Sequence, residues 1–405
     1  LAALMLAGSV ALAGCGGTSR VAPDTPQLNS LATNAAPQIP GIAGGRYWGD
    51  QPPQDLRAQV AEMRTQRRAS GVGRPEITVL AISGGADYGA FGAGVLSGWS
   101  KTGTRPEFTV VTGISTGALT APFAFLGPRY DTALAEVYGG LPPSSIFIRR
   151  SIIGAIANAS AVDAAPLRKT IEAYATDAML ADIAREHARG RRLYVQSTSL
   201  DAQRPVIWDL GQIAASGAPN ARKVFVDALM ASAAVPDVFP PVLVPTVVDG
   251  RTFQELHVDG GVISQSTVMT GWQPDLLQAR GIQPMRLYVI HNNRIQPEPE
   301  ATDVTLVGIG GRSMSTIIKS QGTVNILEAY QAAQLNRAQF RATWIGADFT
   351  LPYVGPFDQA YMQALFAYGE RRALDGKVWS TLPPQLLRFQ TAAPPPGTAE
   401  AMASR

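Results

Sequence analysis

Three short segments hold residue types able to carry out acyl transfer. Gly113-Ile114-Ser115-Thr116-Gly117 is a G-x-S-x-G sequence standing directly after an apolar β-branched run and opening a helical one, which is the setting of a nucleophile elbow. In that turn the serine is strained, and small neighbours such as Gly113 and Gly117 leave its hydroxyl free to point into a cleft. Upstream, Ser83-Gly84-Gly85-Ala86-Asp87-Tyr88-Gly89 again joins a strand to a helix. Glycines there let backbone N–H groups approach a ligand oxygen at a helix N-terminus, as an oxyanion hole or a phosphate cradle. A nucleotide reading lacks its companions: no Gly-Lys-Ser/Thr ends the loop, and no acidic residue closes a second strand where a ribose would need it. Downstream, Val258-Asp259-Gly260-Gly261 ends a strand, placing Asp259 at the carboxyl edge of a sheet, where open α/β folds put their sites. Alone, Asp-Gly-Gly is also an ordinary turn.

These segments need strands that end beside one another and helices that start there. Apolar runs predict strands over 77–83, 108–112, 192–200, 205–210, 255–258 and 286–291. Helical spacing predicts helices over 54–68, 90–99, 116–126, 166–188, 221–231, 314–339 and 356–375. Uninterrupted apolar strands alternating with helices imply a three-layer α/β/α sandwich around a mostly parallel sheet. Asp201 to Arg204, between two strand runs, reads as a hairpin turn and makes that sheet mixed.

The composition narrows the chemistry. The chain has 405 residues, 46% of them hydrophobic and 16% charged, so it can bury a large core. With 34 basic and 31 acidic residues it lacks the basic excess of a nucleic-acid binder. One cysteine allows no internal disulfide, and three histidines with it cannot build a zinc cluster of ordinary ligand count, so no metal and no cofactor are expected.

Taken in this order, the glycine-rich loop, Gly-x-Ser-x-Gly and Asp-Gly-Gly resemble the patatin-like phospholipase family. Ala231-Ser232-Ala233-Ala234-Val235-Pro236 with Phe239-Pro240-Pro241 adds to the match, which spans about residues 77–263. The resemblance implies a patatin-like fold and an esterase or phospholipase A acting on lipid or other acyl esters. It implies Ser115 as nucleophile, Asp259 as general base of a Ser-Asp dyad without histidine, and Gly84, Gly85 and Ala86 as the oxyanion hole. Gly89, Gly113, Gly117, Gly260 and Gly261 are its motif glycines. A carboxylate can take the serine proton if burial lifts its pKa toward the working range. Two positions depart from the family loop: Ala86 stands where a third glycine is usual, and Tyr88 where an Arg or Lys is usual.

The single cysteine has a role of its own. Residues 1–14 are uncharged and apolar, too few to span a bilayer, and they read as a secretory leader clipped of its basic start. Leu12-Ala13-Gly14-Cys15 resembles the lipobox of bacterial lipoproteins, so Cys15 is expected to be acylated and to hold the protein to a membrane. The expected organisation is a leader at 1–14, a flexible tether at 15–45, an acyl hydrolase domain at 46–390 and a loose tail at 391–405. The expected location is the bacterial cell envelope, at the outer membrane or the periplasmic face.

Two other readings compete. Ser115, Asp259 and His291 follow the chain order of an α/β-hydrolase Ser-His-Asp triad, and His257 shares a strand face with Asp259. A non-catalytic envelope lipoprotein could also keep the fold as a lipid-binding surface, with the altered loop as its sign.

Overall fold

The computed structural model describes residues 20–33, 36–53, 55–71, 76–151, 160–268 and 285–391. Its strands are β1 (Arg46–Trp48), β2 (Ile77–Ile82), β3 (Val110–Ile114), β4 (Ile148–Arg149), β5 (Val162–Asp163), β6 (Arg192–Ser199), β7 (Arg204–Asp209), β8 (Val242–Val248), β9 (Arg251–Asp259), β10 (Met285–Arg294) and β11 (Gln339–Ile345). Nine of them form one sheet in the order β1-β7-β6-β3-β2-β10-β11, with β9 on β6 and β8 on β9; β4 and β5 pair separately. From β11 to β6 the pairing is parallel, while the pairings β6-β7, β7-β1, β6-β9 and β9-β8 are antiparallel. The expected mixed sheet is therefore present, and its hairpin turns at Gln203, with φ of 53°.

Side chains alternate along the central strands, and each set enters a different core. Ile77, Val79 and Ala81 of β2 and Leu287 and Val289 of β10 pack against Ile326, Ala329 and Ala333 of the long helix Leu306–Leu335. Leu80, Ile82, Tyr288 and Ile290 point the other way, into the larger core with Phe91, Leu96 and Trp99 of helix Gly89–Lys101 and Leu365 of helix Gln359–Leu374. This two-sided burial is why the strands carry so few polar residues, and it yields the α/β/α layering.

Several boundaries differ from expectation for local reasons. The helix expected over 166–188 is two, Ala165–Tyr174 and Asp177–Ala188, because Thr176 caps the second by accepting from the Met179 amide at 3.2 Å. The helix expected over 314–339 begins at Leu306, capped by Thr305, and ends at Leu335, so Gln339 opens β11 instead. Gly308, Gly310 and Gly311 lie within its first turns, although glycine is a weak helix former. Strand β8 went unread because Pro240, Pro241 and Pro245 crowd it. Among the described residues it pairs with β9 and, through one bridge at Val247, with Gln38, so it lies at the sheet edge, where proline is tolerated. Asp249 and Gly250, both at positive φ, turn β8 into β9.

The flexible tether expected at 15–45 is corrected for its described part, residues 20–33 and 36–45. Thr25–Leu31 is a helix with a complete capping box from Asp24 and Gln27. Arg20 grips Asp201 through two 2.6 Å bonds, Gln38 pairs with Val247, and Leu31, Ile39 and Ile42 are buried in the main core. Polar spacing hid these three anchors. The leader, Cys15 and the tail beyond residue 391 lie outside the described residues.

Candidate active site

Strand β3 delivers Ser115 to the carboxyl edge of the sheet, where the chain turns sharply into helix Thr116–Leu126. Ser115 takes φ of 55° and ψ of −125°, a region that costs a non-glycine residue about 1–3 kcal/mol. The motif glycines make that turn possible: a Cβ on Gly113 would stand 2.3 Å from the Gly117 carbonyl oxygen, and one on Gly117 2.3 Å from that of Ile82. Gly89 is held to its size by Thr116, whose Oγ1 would lie 2.1 Å from an added Cβ. The Ser115 amide donates to Ser232 Oγ at 3.0 Å, and the Ser232 hydroxyl donates in turn to the Gln196 carbonyl at 2.6 Å.

Asp259 closes β9 on the neighbouring strand edge, held by its own amide donating to the Ala234 carbonyl at 2.8 Å. The segment around Ala231 to Pro236 therefore clamps both ends of the site, Ser115 through Ser232 and Asp259 through Ala234. Asp259 is buried, and its Oδ1 accepts from the Gly261 amide at 2.6 Å while Oδ2 completes no hydrogen bond. Burial pushes the carboxyl up to about 7; the adjacent Ser115 hydroxyl and the Gly261 amide oppose that only partly. Gly260 has no room for a side chain, since a Cβ would meet the Gln196 carbonyl at 2.4 Å, and a Cβ on Gly261 would press on Asp259 Oδ1 at 3.0 Å.

The glycine-rich loop divides the expected oxyanion roles unequally. The Gly84 amide is already committed to the Gln265 carbonyl at 3.0 Å, which corrects its assignment as a donor. Gly84 serves instead as clearance: a Cβ there would meet Ser115 Cβ at 3.3 Å and Gln265 Oε1 at 3.2 Å. Among the described residues, the amides of Gly85, Ala86 and Thr116 donate to no protein acceptor. Gly85 is at φ of 150°, with the Asn292 carbonyl oxygen 2.1 Å from where a Cβ would be. Asn292 fixes this loop by donating its amide to Ser83 Oγ at 2.8 Å and its Nδ2 to the Ser83 carbonyl at 3.0 Å.

Ala86 carries the strain expected of its position, at φ of 48°. Exchanging it for glycine relieves about 1–2 kcal/mol of that strain and returns part of it as unfolded-chain entropy. Ala86→Gly is therefore expected to leave the stability equal or raise it by up to about 1 kcal/mol. Chemical denaturation checks this, and a clear loss of stability would show that the methyl group packs usefully. Tyr88 supplies no charge. Its ring packs on Tyr353 and Tyr361 at 5.7 and 6.1 Å. The nearby Arg294 guanidinium is occupied by the Gly346 and Phe349 carbonyls and by Glu298.

Behind Ser115 opens an apolar cleft of about 930 Å³, its mouth included. Ala86, Ser115 and Thr116 stand with Leu119, Phe123, Ile171, Phe225, Phe357 and Met362 along its walls. The apolar lining, with Ser115 among it, suits the apolar part of a ligand. Asp87 ties one wall to the loop by accepting from the Phe357 amide at 3.0 Å and from the Tyr353 hydroxyl.

Neither expected histidine joins the site. His291 is buried with both ring nitrogens unpartnered, pressed by Gly322, and burial pulls its pKa down to about 4. His257 is bonded to Ser197 through Nδ1 at 3.0 Å and lies 3.3 Å from Glu255, itself paired with Arg46. The Ser-His-Asp triad is thus not assembled. Among the described residues no group of three or more His, Cys, Asp or Glu could hold a metal ion. Ser232, Asn292 and Gln265 went unassigned in the sequence, because each acts through backbone partners far away along the chain.

Comparison with known proteins gives a family and a looser structural likeness. No curated protein matches the chain. VipD from Legionella pneumophila is 12% identical over 75% of this chain and 67% of its own, with a TM-score of 0.31. Human GIVD cytosolic phospholipase A2 is 10% identical over 64% of this chain and 49% of its own, with a TM-score of 0.32. The chain thus spans about two thirds of the first and about half of the second. Residues 80–272, which include the glycine-rich loop, Ser115, the Ser232 clamp and Asp259, match the patatin-like phospholipase family. Residues 80–272 thus form a patatin-like phospholipase domain, the domain of a lipid ester hydrolase.

Proposed function

We propose that the protein hydrolyses lipid acyl esters through a Ser115-Asp259 dyad, without a histidine. One observation carries this reading: the buried Asp259 carboxyl interacts with the Ser115 hydroxyl and has its pKa lifted to about 7. As a carboxylate, Asp259 takes the proton from Ser115 Oγ while that oxygen attacks the ester carbonyl. The oxyanion that forms is stabilised by the free amides of Gly85 and Ala86, with the N-terminus of helix Thr116–Leu126 behind it. Collapse of the intermediate breaks the ester C–O bond, and Asp259 returns the proton to the leaving alcohol. Water then attacks the acyl-serine, Asp259 takes its proton, and the fatty acid leaves with Ser115 restored. The acyl chain occupies the apolar cleft.

The loop with Tyr88 in place of a cation favours lipids whose head group carries no net charge. Cys15, at the end of the lipobox-like Leu12-Ala13-Gly14, supports a lipid-anchored protein of the bacterial cell envelope, at the outer membrane or the periplasmic face. The expected result is release of free fatty acid from acyl esters and zwitterionic phospholipids, with kcat/KM at least about tenfold lower on anionic ones, about 1.4 kcal/mol of discrimination. Fatty-acid analysis across such a panel checks both points. No fatty acid from any ester would overturn the hydrolase reading, and a preference for anionic lipids would overturn the head-group part.

A further inference from the structure

The long helix Leu306–Leu335 has an N-terminal half with several exposed apolar side chains. Among the described residues, Leu306 is 92% exposed, and Ile309, Met314, Ile317 and Val324 are exposed as well. At about 100° per residue, these five fall within an arc of about 140° on one side of the helix. The positions between them on that side, Gly310, Ser313, Ser320 and Gln321, carry no charge. Arg312 and Lys319 lie on the opposite flank and are bound to Glu300 and Glu298. The outcome is an uncharged apolar stripe, about 27 Å long from Leu306 to Val324 at about 1.5 Å per residue.

This stripe starts at the catalytic edge. Gln321, on its border, donates to the Ile263 carbonyl just after the Asp259 turn and accepts from Gln265 Nε2 at 3.1 Å. Gln265 in turn lies against Gly84, which touches Ser115. Val262, between Asp259 and Ile263, is exposed too and extends the apolar surface toward the site. A lipid ester sits in a bilayer, and lifting its chains into water costs free energy for every methylene. A surface that enters the lipid beside the nucleophile shortens that transfer.

We propose that the stripe Leu306, Ile309, Met314, Ile317 and Val324, with Val262, docks on the surface of a lipid bilayer and presents the mouth of the site to it. The contact is hydrophobic, because the stripe is uncharged and the flanking cations are already paired. It is separate from any acyl anchor at Cys15, and only the choice of lipid as partner rests on the proposed hydrolase function.

The test uses the full chain with Cys15→Ser and Ser115→Ala, so that neither acylation nor turnover contributes, sedimented with phosphatidylcholine vesicles. The expected result is binding that persists from about 0.05 M to about 0.5 M salt and falls at least about tenfold in the variant Leu306→Ser/Ile309→Ser/Met314→Ser/Ile317→Ser. In a chain retaining Ser115, the same four changes are expected to spare hydrolysis of a soluble short-chain ester, which also reports folding. Should the fourfold variant fail to fold, Ile317→Trp decides, since the fluorescence of the introduced indole should be quenched by vesicles with brominated acyl chains. Unchanged vesicle binding in a folded variant, binding only to anionic vesicles at low salt, or an absence of quenching in the Ile317→Trp variant would overturn the proposal. So would a dimer that the serine substitutions return to monomer, which would make the stripe a contact between copies. Because turnover is absent from the binding measurement, its outcome is independent of whether the dyad is correct.

Discussion

A Ser115→Gly enzyme is expected to be inactive and more stable than the parent. Removing an activated serine nucleophile lowers kcat by on the order of 10⁴–10⁶-fold, because no acyl-enzyme can form and only binding and oxyanion stabilisation remain. Stability moves the other way. Ser115 sits at φ of 55° and ψ of −125°, a conformation glycine adopts freely and serine only under strain of about 1–3 kcal/mol. Glycine's greater freedom in the unfolded chain offsets about 0.5–1 kcal/mol of the relief. Ser115→Ala keeps the Cβ and should be equally inactive without that gain. Thermal melting of both variants beside the parent separates the strain from the loss of the hydroxyl. If glycine and alanine melt alike, the elbow stores no backbone strain at Ser115.

Asp259→Asn is expected to cut activity steeply and to stabilise the fold as pH rises. General-base removal lowers turnover by about 10²–10⁴-fold. In the parent, kcat/KM should climb with pH through about 7, since only the carboxylate form of Asp259 can accept the serine proton. The stability effect follows from the same ionisation. The folded carboxyl titrates near 7 and an unfolded one near the ordinary 3.8, so between these values the folded state holds a proton that the unfolded state has released. Folding is therefore unpenalised below about pH 4 and loses stability steadily up to about pH 7, where burying the charge costs most. The gap between 3.8 and about 7 corresponds to on the order of 4 kcal/mol at full extent. Asparagine never ionises, so the two melting curves should nearly coincide at pH 4 and separate by pH 8. Parallel curves across that range would mean that Asp259 ionises normally and is a poor candidate for the base.

Much of this site is legible in the sequence because its constraints are local. An elbow needs small residues at fixed offsets, and Gly113 and Gly117 announce it; Asp259 is marked by the end of an apolar strand and the two glycines that let it turn. Ala86 stands out as a non-glycine in a place that demands positive φ, and the structure has it there at 48°. What stayed hidden depends on partners remote in the chain. Ser232 holds Ser115 from 117 residues away, and Asn292 fixes Ser83 from 209 residues away. Gly84 looked like a donor, and only the position of Gln265 shows that its amide is taken. Leu31, Ile39 and Ile42 went unread for a related reason: single apolar residues in a polar stretch become anchors only when a preformed core offers them a place. His291, attractive by chain order, makes no hydrogen bond to Ser115 or Asp259.

The dyad without histidine is tested most directly by the rate at which a serine-reactive fluorophosphonate labels the folded enzyme, followed by peptide mapping. The expected result is a single adduct on Ser115, a labelling rate that rises with pH through about 7, loss of labelling in Asp259→Asn, and a near-parental rate in His291→Leu. An adduct on another serine, parental labelling of Asp259→Asn, or loss of labelling in a folded His291→Leu would contradict it.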